Sequence, residues 1–429
     1  GQDVTLWGPT HIQMVGGASL ATLALWALTV EGRAGSGRPS LGTRMIDLSC
    51  GGALLLGLST LQGEFDYGVP QFRLLYQPVL IMLAAGVALV AARLRSGRGG
   101  ALGAAAFFVV LRGALTVVIG PILGRSTLHF PLYLAEAVMV EVIALALGTD
   151  RELRFSVAAG AGIGTVGLAA EWAWSHVWMP LPWSANMWPE AALLGLAAAL
   201  AGAVIGGLVG RSLTETPGVR RATSPVALVA WVIALICVAV PLPTTSPTGL
   251  SADVTLKDVQ VPLGRHVIVT VRLHPADAAQ HADWFDVTAW QGERSGRGGL
   301  VIAPLHKGPD GGYTTVTPVP VFGSWKALVR LHRGDQLSTL ALYLPADPAI
   351  PAPAVDAIPT LTRAFVRDKK VLQREAIGGS VALQRGAYAV LGLLAALWIA
   401  SLAWGLRRLA GTGRTGRPRV GGWPRPVPV

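Results

Sequence analysis

The chain has 429 residues, 52% of them hydrophobic and only 14% charged, with a formal net charge of +11. That balance excludes an ordinary soluble domain and reads as an integral membrane protein. Cys50 and Cys237 both fall inside apolar runs, which excludes a disulfide framework.

Runs long enough to cross about 30 Å of hydrocarbon occur at 10–30, 46–63, 74–93, 101–122, 131–149, 155–178, 190–210, 225–243 and 386–406. They predict a polytopic α-helical membrane protein of about nine transmembrane helices, with an eight-helix bundle over residues 1–243 and the ninth helix at 386–406. Basic residues in short loops favour the cytoplasmic side. Here they fall in alternate connections: Arg33, Arg38 and Arg44; Arg93, Arg95 and Arg98; Arg151 and Arg154; Arg211, Arg220 and Arg221; and the tail from Arg407. The pattern predicts a multi-pass protein of the cytoplasmic membrane, N-terminus outside and C-terminus inside. An outside N-terminus beginning at Gly1 leads us to expect an upstream segment such as a cleaved signal sequence. The net positive charge is then a topology signal, and the partner it implies is the lipid bilayer, with no nucleic acid.

Ionisable groups at or inside a bilayer are costly, so their default reading is functional. They cluster at the expected outer ends of the spans: His11 and Met14; Glu64 and Asp66; His129; Glu136 and Met139; and Glu171, His176 and Met179. Trp172, His176 and Met179 are spaced i, i+4, i+7 and share a helix face. Imidazole, carboxylate and thioether groups at one depth suit copper, or zinc without the thioether. We therefore expect an outward-facing metal site of His176 with Glu136 and either His11 or His129, with Met179, Met14 and Glu171 as further ligand candidates. Glu64 and Asp66 are expected as acids at the outer mouth. The alternative for His176 is an aromatic belt with Trp172, Trp174, Trp178, Trp183 and Trp188, and for each methionine it is ordinary packing.

Arg112 and Glu141 each lie about ten residues inside their spans, on either side of the connection through Gly124–Phe130. The matched depth predicts an intramembrane Arg112–Glu141 pair. A proton or ion route is the alternative role for it.

Residues 251–346 alternate apolar and polar in short runs: 254–259, 266–273, 284–290, 300–305, 313–319, 325–331 and 337–344. Turn residues such as Gly308-Pro-Asp-Gly-Gly312 separate them. The spacing predicts an inserted extracytoplasmic immunoglobulin-like β-sandwich. The stretch Gly312-Tyr-Thr-Thr-Val-Thr-Pro-Val-Pro-Val-Phe-Gly-Ser-Trp-Lys-Ala-Leu-Val-Arg-Leu resembles the closing strands of YtkA-like and FixH-like exported sandwiches, which are grouped with CopC-like domains. The resemblance implies copper handling or oxidase assembly, although residues 251–346 contain no methionine.

Residues 347–380 follow as a Pro-rich spacer and a basic amphipathic segment. In that segment Leu361, Phe365 and Leu372 lie among Arg363, Arg367, Lys369, Lys370 and Arg374, which predicts helical character over 360–377 and a lipid surface or an acidic partner subunit. Residues 407–429 read as a disordered cytoplasmic tail.

No Gly-x-x-x-x-Gly-Lys, Cys-x-x-Cys, His-Glu-x-x-His or Gly-x-Ser-x-Gly motif is present. Three readings follow from the sequence. The first is a copper-linked membrane protein, either a metal-handling factor or a subunit of a copper oxygenase or oxidase. The second is a non-catalytic accessory or scaffold subunit. The third is a transferase acting on a lipid-linked substrate at the outer face through Glu64, Asp66, Glu136 and Glu171.

Overall fold

A computed structural model describes residues 7–33, 40–214, 225–242, 244–291, 299–347, 352–372 and 380–412. The expected tail beyond residue 412, residues 373–377 of the basic segment, and Arg38, Arg220 and Arg221 lie outside the described residues.

Long apolar runs must satisfy their backbone internally, and they do so as helices. These are α1 Pro9–Glu31, α2 Leu41–Ser59, α3 Gly63–Asp66, α4 Tyr76–Ser96, α5 Gly100–Val117, α6 Leu134–Leu147, α7 Glu152–Gly162, α8 Leu168–Val177, α9 Trp188–Leu213 and α10 Pro225–Ala239. After the β domain come α11 Asp368–Leu372 and α12 Val381–Thr412. Among the described residues, six stretches are long and apolar enough to cross a membrane: Thr10–Glu31, Leu41–Asp66, Tyr76–Ser96, Gly100–Ile122, Glu152–Val177 and Ala185–Leu213. The chain is a multi-pass membrane protein.

The bundle is centred on α4, whose apolar side chains are almost all buried. It packs on α9 through Gly202, Gly206 and Gly210, spaced four apart on one face. A β-carbon at Gly206 would come within 2.5 Å of the Gly86 carbonyl oxygen, so only glycine lets these backbones meet. Two spans carry a π-helical turn, Val118–Ile122 after α5 and Ile163–Gly167 between α7 and α8. The connection from α5 to α6 turns back into the protein, with Leu128, Phe130 and Tyr133 buried. Thr116 Oγ1 donates to the Leu128 carbonyl at 2.7 Å and holds it there. As a result α6 is only 14 residues long and begins inside the bundle.

The β domain holds β1 Ser251–Val259, β2 His266–His274, β3 Trp284–Gln291, β4 Gly299–Lys307, β5 Tyr313–Thr315, β6 Val319–Pro320, β7 Lys326–Arg333, β8 Gln336–Tyr343, β9 Thr360–Ala364 and β10 Val366–Arg367. All strand pairs are antiparallel, in the order β10-β8-β7-β3-β4-β5-β2-β1-β9, with β6 on β2. The two ends of this path, β9 and β10, are consecutive in the chain, so the sheet comes close to closing into a barrel. Val254, Val269, Val271, Val287, Val329 and Leu340 fill its interior.

The basic segment departs from expectation. Thr360–Ala364 and Val366–Arg367 are strands, and only Asp368–Leu372 is helical. Pairing decides this: Leu361 sits opposite Val254 of β1, and Leu361 and Phe365 are buried in the β core. The Pro-rich stretch before it also folds back, for Leu344 and Val355 exchange both backbone hydrogen bonds at 2.9 and 2.8 Å.

The β domain sits directly on one end of the bundle. Trp284 of β3 joins the apolar core of the bundle, and Ser184 Oγ donates to Asp283 at 2.7 Å. Gly68, with φ +74°, touches β4: a β-carbon there would lie 2.6 Å from Ile302 Cδ1 and 2.8 Å from Pro180 Cβ.

Candidate binding site between bundle and β domain

Beneath the β domain the bundle interior is polar. Arg112 of α5 is ion-paired with Asp66 of α3, and both are buried. His129, from the in-turned connection, donates its backbone N–H to the Asp66 carbonyl at 3.1 Å, and its ring packs at a tilt against Trp178, with centroids 4.9 Å apart. The Tyr133 hydroxyl lies 3.2 Å from Ser59 Oγ and 3.4 Å from Gln62 Nε2. Glu171 of α8 accepts from the backbone N–H groups of Leu132 and Tyr133 at 2.9 and 2.7 Å, at the positive end of the α6 dipole. Glu136, in the first turn of α6, is fully buried in the same region.

The expected Arg112–Glu141 pair is not formed. Glu141 pairs instead with Arg93 at 2.9 Å and accepts from the backbone N–H groups of Gly99 and Ala101 at 3.0 and 2.9 Å. It therefore lies at the start of α5, eleven residues before Arg112, or roughly 16 Å along the helix. Depth counted from the connection misleads because residues 123–133 occupy the space where α6 would otherwise have begun.

The residues expected to hold a metal are not gathered. His176 is exposed, its Nδ1 lies 2.9 Å from the Trp172 carbonyl of its own helix, and its ring packs on Trp172. Met14 is 63% exposed on the outer face of α1, whereas Met179 is buried. His11 stands on α1, while His129 faces Asp66 and Trp178. Glu136 and Glu171 do come into mutual electrostatic reach. Among the described residues no group of three or more His, Cys, Asp and Glu side chains could hold a metal ion. So dispersed a donor set does not fit a copper ion.

A second buried cluster, on the β domain, was not visible in the sequence. Asp368 at the start of α11 accepts from Arg330 Nη2 of β7 at 2.6 Å and from His332 Nε2 at 2.9 Å. Arg330 Nη2 also reaches the Pro70 carbonyl oxygen of the bundle at 2.5 Å, clamping the two parts together. Burial alone would raise the Asp368 carboxyl, but Arg330 and His332 outweigh it and hold it below the ordinary carboxylate value. Burial pushes His332 down to about 4, against the pull of Asp368, so the imidazole is neutral. Opposite Arg330 on β3, Asp286 is pushed up to about 6 by burial, with Arg330 opposing. The available signal was a charge placed within the apolar runs Trp284–Trp290 and Lys326–Leu331.

Between these two clusters lies a cavity of about 890 Å³. Leu115, Ile119 and Leu128 from the bundle and Trp290 and Leu300 from the β domain give it apolar walls. Arg112, Arg125, Lys326 and Arg330 supply positive charge, and Glu64 and Tyr67 also line it. Glu64 accepts from the Gln71 backbone N–H at 2.9 Å. Leu115, Ile119 and Ile122 follow i, i+4, i+7 spacing, and Ile122 is 67% exposed, so the apolar wall runs on into the outer surface of the bundle. Among the expected outer-mouth acids, Glu64 lines the cavity and Asp66 does not. No protein-family model, curated protein or solved structure matches the chain.

Proposed function

We propose that this membrane protein binds an anionic amphiphile, a lipid or lipid-linked molecule, in the cavity between its helical bundle and its β domain. The observation that carries the reading is the composition of that cavity: apolar walls continuous with the outer surface of α5, and four cationic side chains in its lining, Arg112 and Arg125 from the bundle and Lys326 and Arg330 from β7. Its volume falls in the usual range for small-molecule sites, about 300–1,000 Å³. Acyl chains would lie along Leu115 and Ile119, and Trp290 and Leu300 would cover them. Arg125 from the bundle and Lys326 from β7 would meet the headgroup from opposite walls. Arg112 and Arg330, already held by Asp66 and Asp368, add to the positive field.

The reading carries a topology. All nine apolar helical stretches cross the membrane, the N-terminus is outside the cytoplasm, and the β domain, folded as a two-layer immunoglobulin-like sandwich, lies outside the cell membrane. The ligand would then come from the outer leaflet. Binding is favoured over group transfer because Asp66 is engaged by Arg112, Glu171 by backbone amides, and Glu136 is sealed in the interior. That leaves Glu64 as the one acid of the expected outer set that faces the cavity.

The test is identification of lipids retained by the full chain after extraction in mild detergent, by native mass spectrometry. Wild type should carry an anionic lipid that Lys326→Glu and Arg125→Glu each lose. Equal retention by both variants, or retention of zwitterionic lipid alone, would contradict the assignment.

A further inference from the structure

We infer that Glu136 and Glu171 together form a proton-binding site in the bundle, holding one proton that rests on Glu136. The site is separate from the amphiphile cavity and independent of it.

Glu136 is wholly buried, and neither carboxylate oxygen has a hydrogen-bond partner. A carboxylate in that position would be an uncompensated charge in a low-dielectric interior, at a cost of several kcal/mol. Among the described residues, no positive charge offsets this. Glu171 on α8 is a second acid and is electrostatically coupled to it. The Tyr133 hydroxyl is engaged with Ser59, and Arg112 is occupied by Asp66. On α4, Gln77 accepts from Trp183 at 2.8 Å, and Arg93 is held at the far end of the span by Glu141.

The two acids are not equivalent. Glu171 accepts two backbone N–H bonds at the amino end of α6, an arrangement that stabilises the ionised form. Glu136 receives no donor from another residue, so of the two acids it is the one that keeps the proton, as in paired carboxyls that share one proton. The surrounding backbone is shaped to admit the group. Gly167 closes the π-helical turn, and a β-carbon there would lie 2.6 Å from Glu136 Cγ and 3.2 Å from Oε1. π-Helical turns often occur at functional sites, and this one presents a glycine to a buried acid. Proton transfer between the pair is balanced: Glu136 gives up its O–H proton as Glu171 gains it, and the total charge of the pair is unchanged.

Infrared spectroscopy of the full chain in lipid nanodiscs tests this directly. With carboxyl-¹³C-labelled glutamate, wild type at neutral pH should show a protonated carboxyl C=O band that carries the isotope shift, moves on deuteration and is the same in sodium and choline chloride. Glu136→Gln should remove that band, and Glu171→Gln should retain it. A band that survives Glu136→Gln, or one that appears only when sodium is withheld, overturns the proton assignment; the latter would mark a sodium site. If Glu136→Gln fails to fold, Gly167→Ala keeps the acid while altering its surroundings and should shift the band. An unmoved band, or no glutamate-derived band in wild type, rejects the inference.

Discussion

Arg112 is ion-paired with Asp66, while Glu141, a neighbour in the sequence-based picture, is paired with Arg93 toward the opposite end of the span. Each buried charge thus has its own counter-charge, at two different depths. Breaking such a pair from one side leaves the other charge unmatched, at a cost of about 3–5 kcal/mol.

Asp66→Asn or Arg112→Met alone should destabilise the protein by about that amount, and the double variant should recover part of the loss. Arg112→Met combined with Glu141→Gln should instead be additive within about 0.5 kcal/mol, since the two groups share no partner. Reversible unfolding in bicelles, arranged as double-mutant cycles, measures both couplings. Strong coupling between Arg112 and Glu141 would refute the observed pairing.

The clamp cluster gives a dependence on pH whose sign can be worked out. His332 is held at about 4 against an ordinary 6.5, so between those values the unfolded chain binds more protons. Its contribution is therefore complete above 6.5 and is lost as the pH falls toward 4. Asp286 is held at about 6 against an ordinary 3.8, so its contribution is complete below 3.8 and is lost as the pH rises toward 6. The two effects oppose one another between about pH 4 and 6. Asp286→Asn removes one of them. It should stabilise β3 and β7 at pH 7, converge with wild type near pH 4, and so steepen the loss on acidification. Hydrogen exchange of the β3 and β7 amides in the full chain, corrected for intrinsic rates, reads this. A variant that parallels wild type across the range would show that Asp286 is not perturbed.

Sidedness can be read from single cysteines, because Cys50 and Cys237 are both buried. His306→Cys, exposed on β4, should react with an impermeant thiol reagent in intact cells, whereas Arg98→Cys should react only after permeabilisation. The reverse pattern would invert the proposed topology.

Hydropathy made the helices legible, because a long apolar run has few options other than a helix. It did not give depth, since the connection holding Leu128, Phe130 and Tyr133 is apolar enough to re-enter the bundle, and a sequence reading counts it as surface. Seven alternating runs were legible and cover β1 to β8, the run 313–319 dividing into β5 and β6. The two at Thr360–Ala364 and Val366–Arg367 were not, because Leu361, Phe365 and Leu372 also fit a helical stripe and only pairing with β1 and β8 selects the strand. The outer-face residues His11, Met14 and His176 were conspicuous by type, yet their helices do not bring them together. The cavity was hidden for the opposite reason: Arg125, Trp290, Leu300 and Lys326 are unremarkable singly and meet only when the β domain docks on the bundle.

The most direct measurement is occupancy of that cavity. Leu300→Trp places bulk between Trp290 and the α5 wall without altering any charge. Native mass spectrometry of the full chain, reconstituted with equal phosphatidylglycerol and phosphatidylcholine, should show wild type retaining bound phosphatidylglycerol and Leu300→Trp losing it, with both proteins equally folded by circular dichroism. Undiminished phosphatidylglycerol binding by Leu300→Trp would place the lipid elsewhere and contradict the cavity as the binding site.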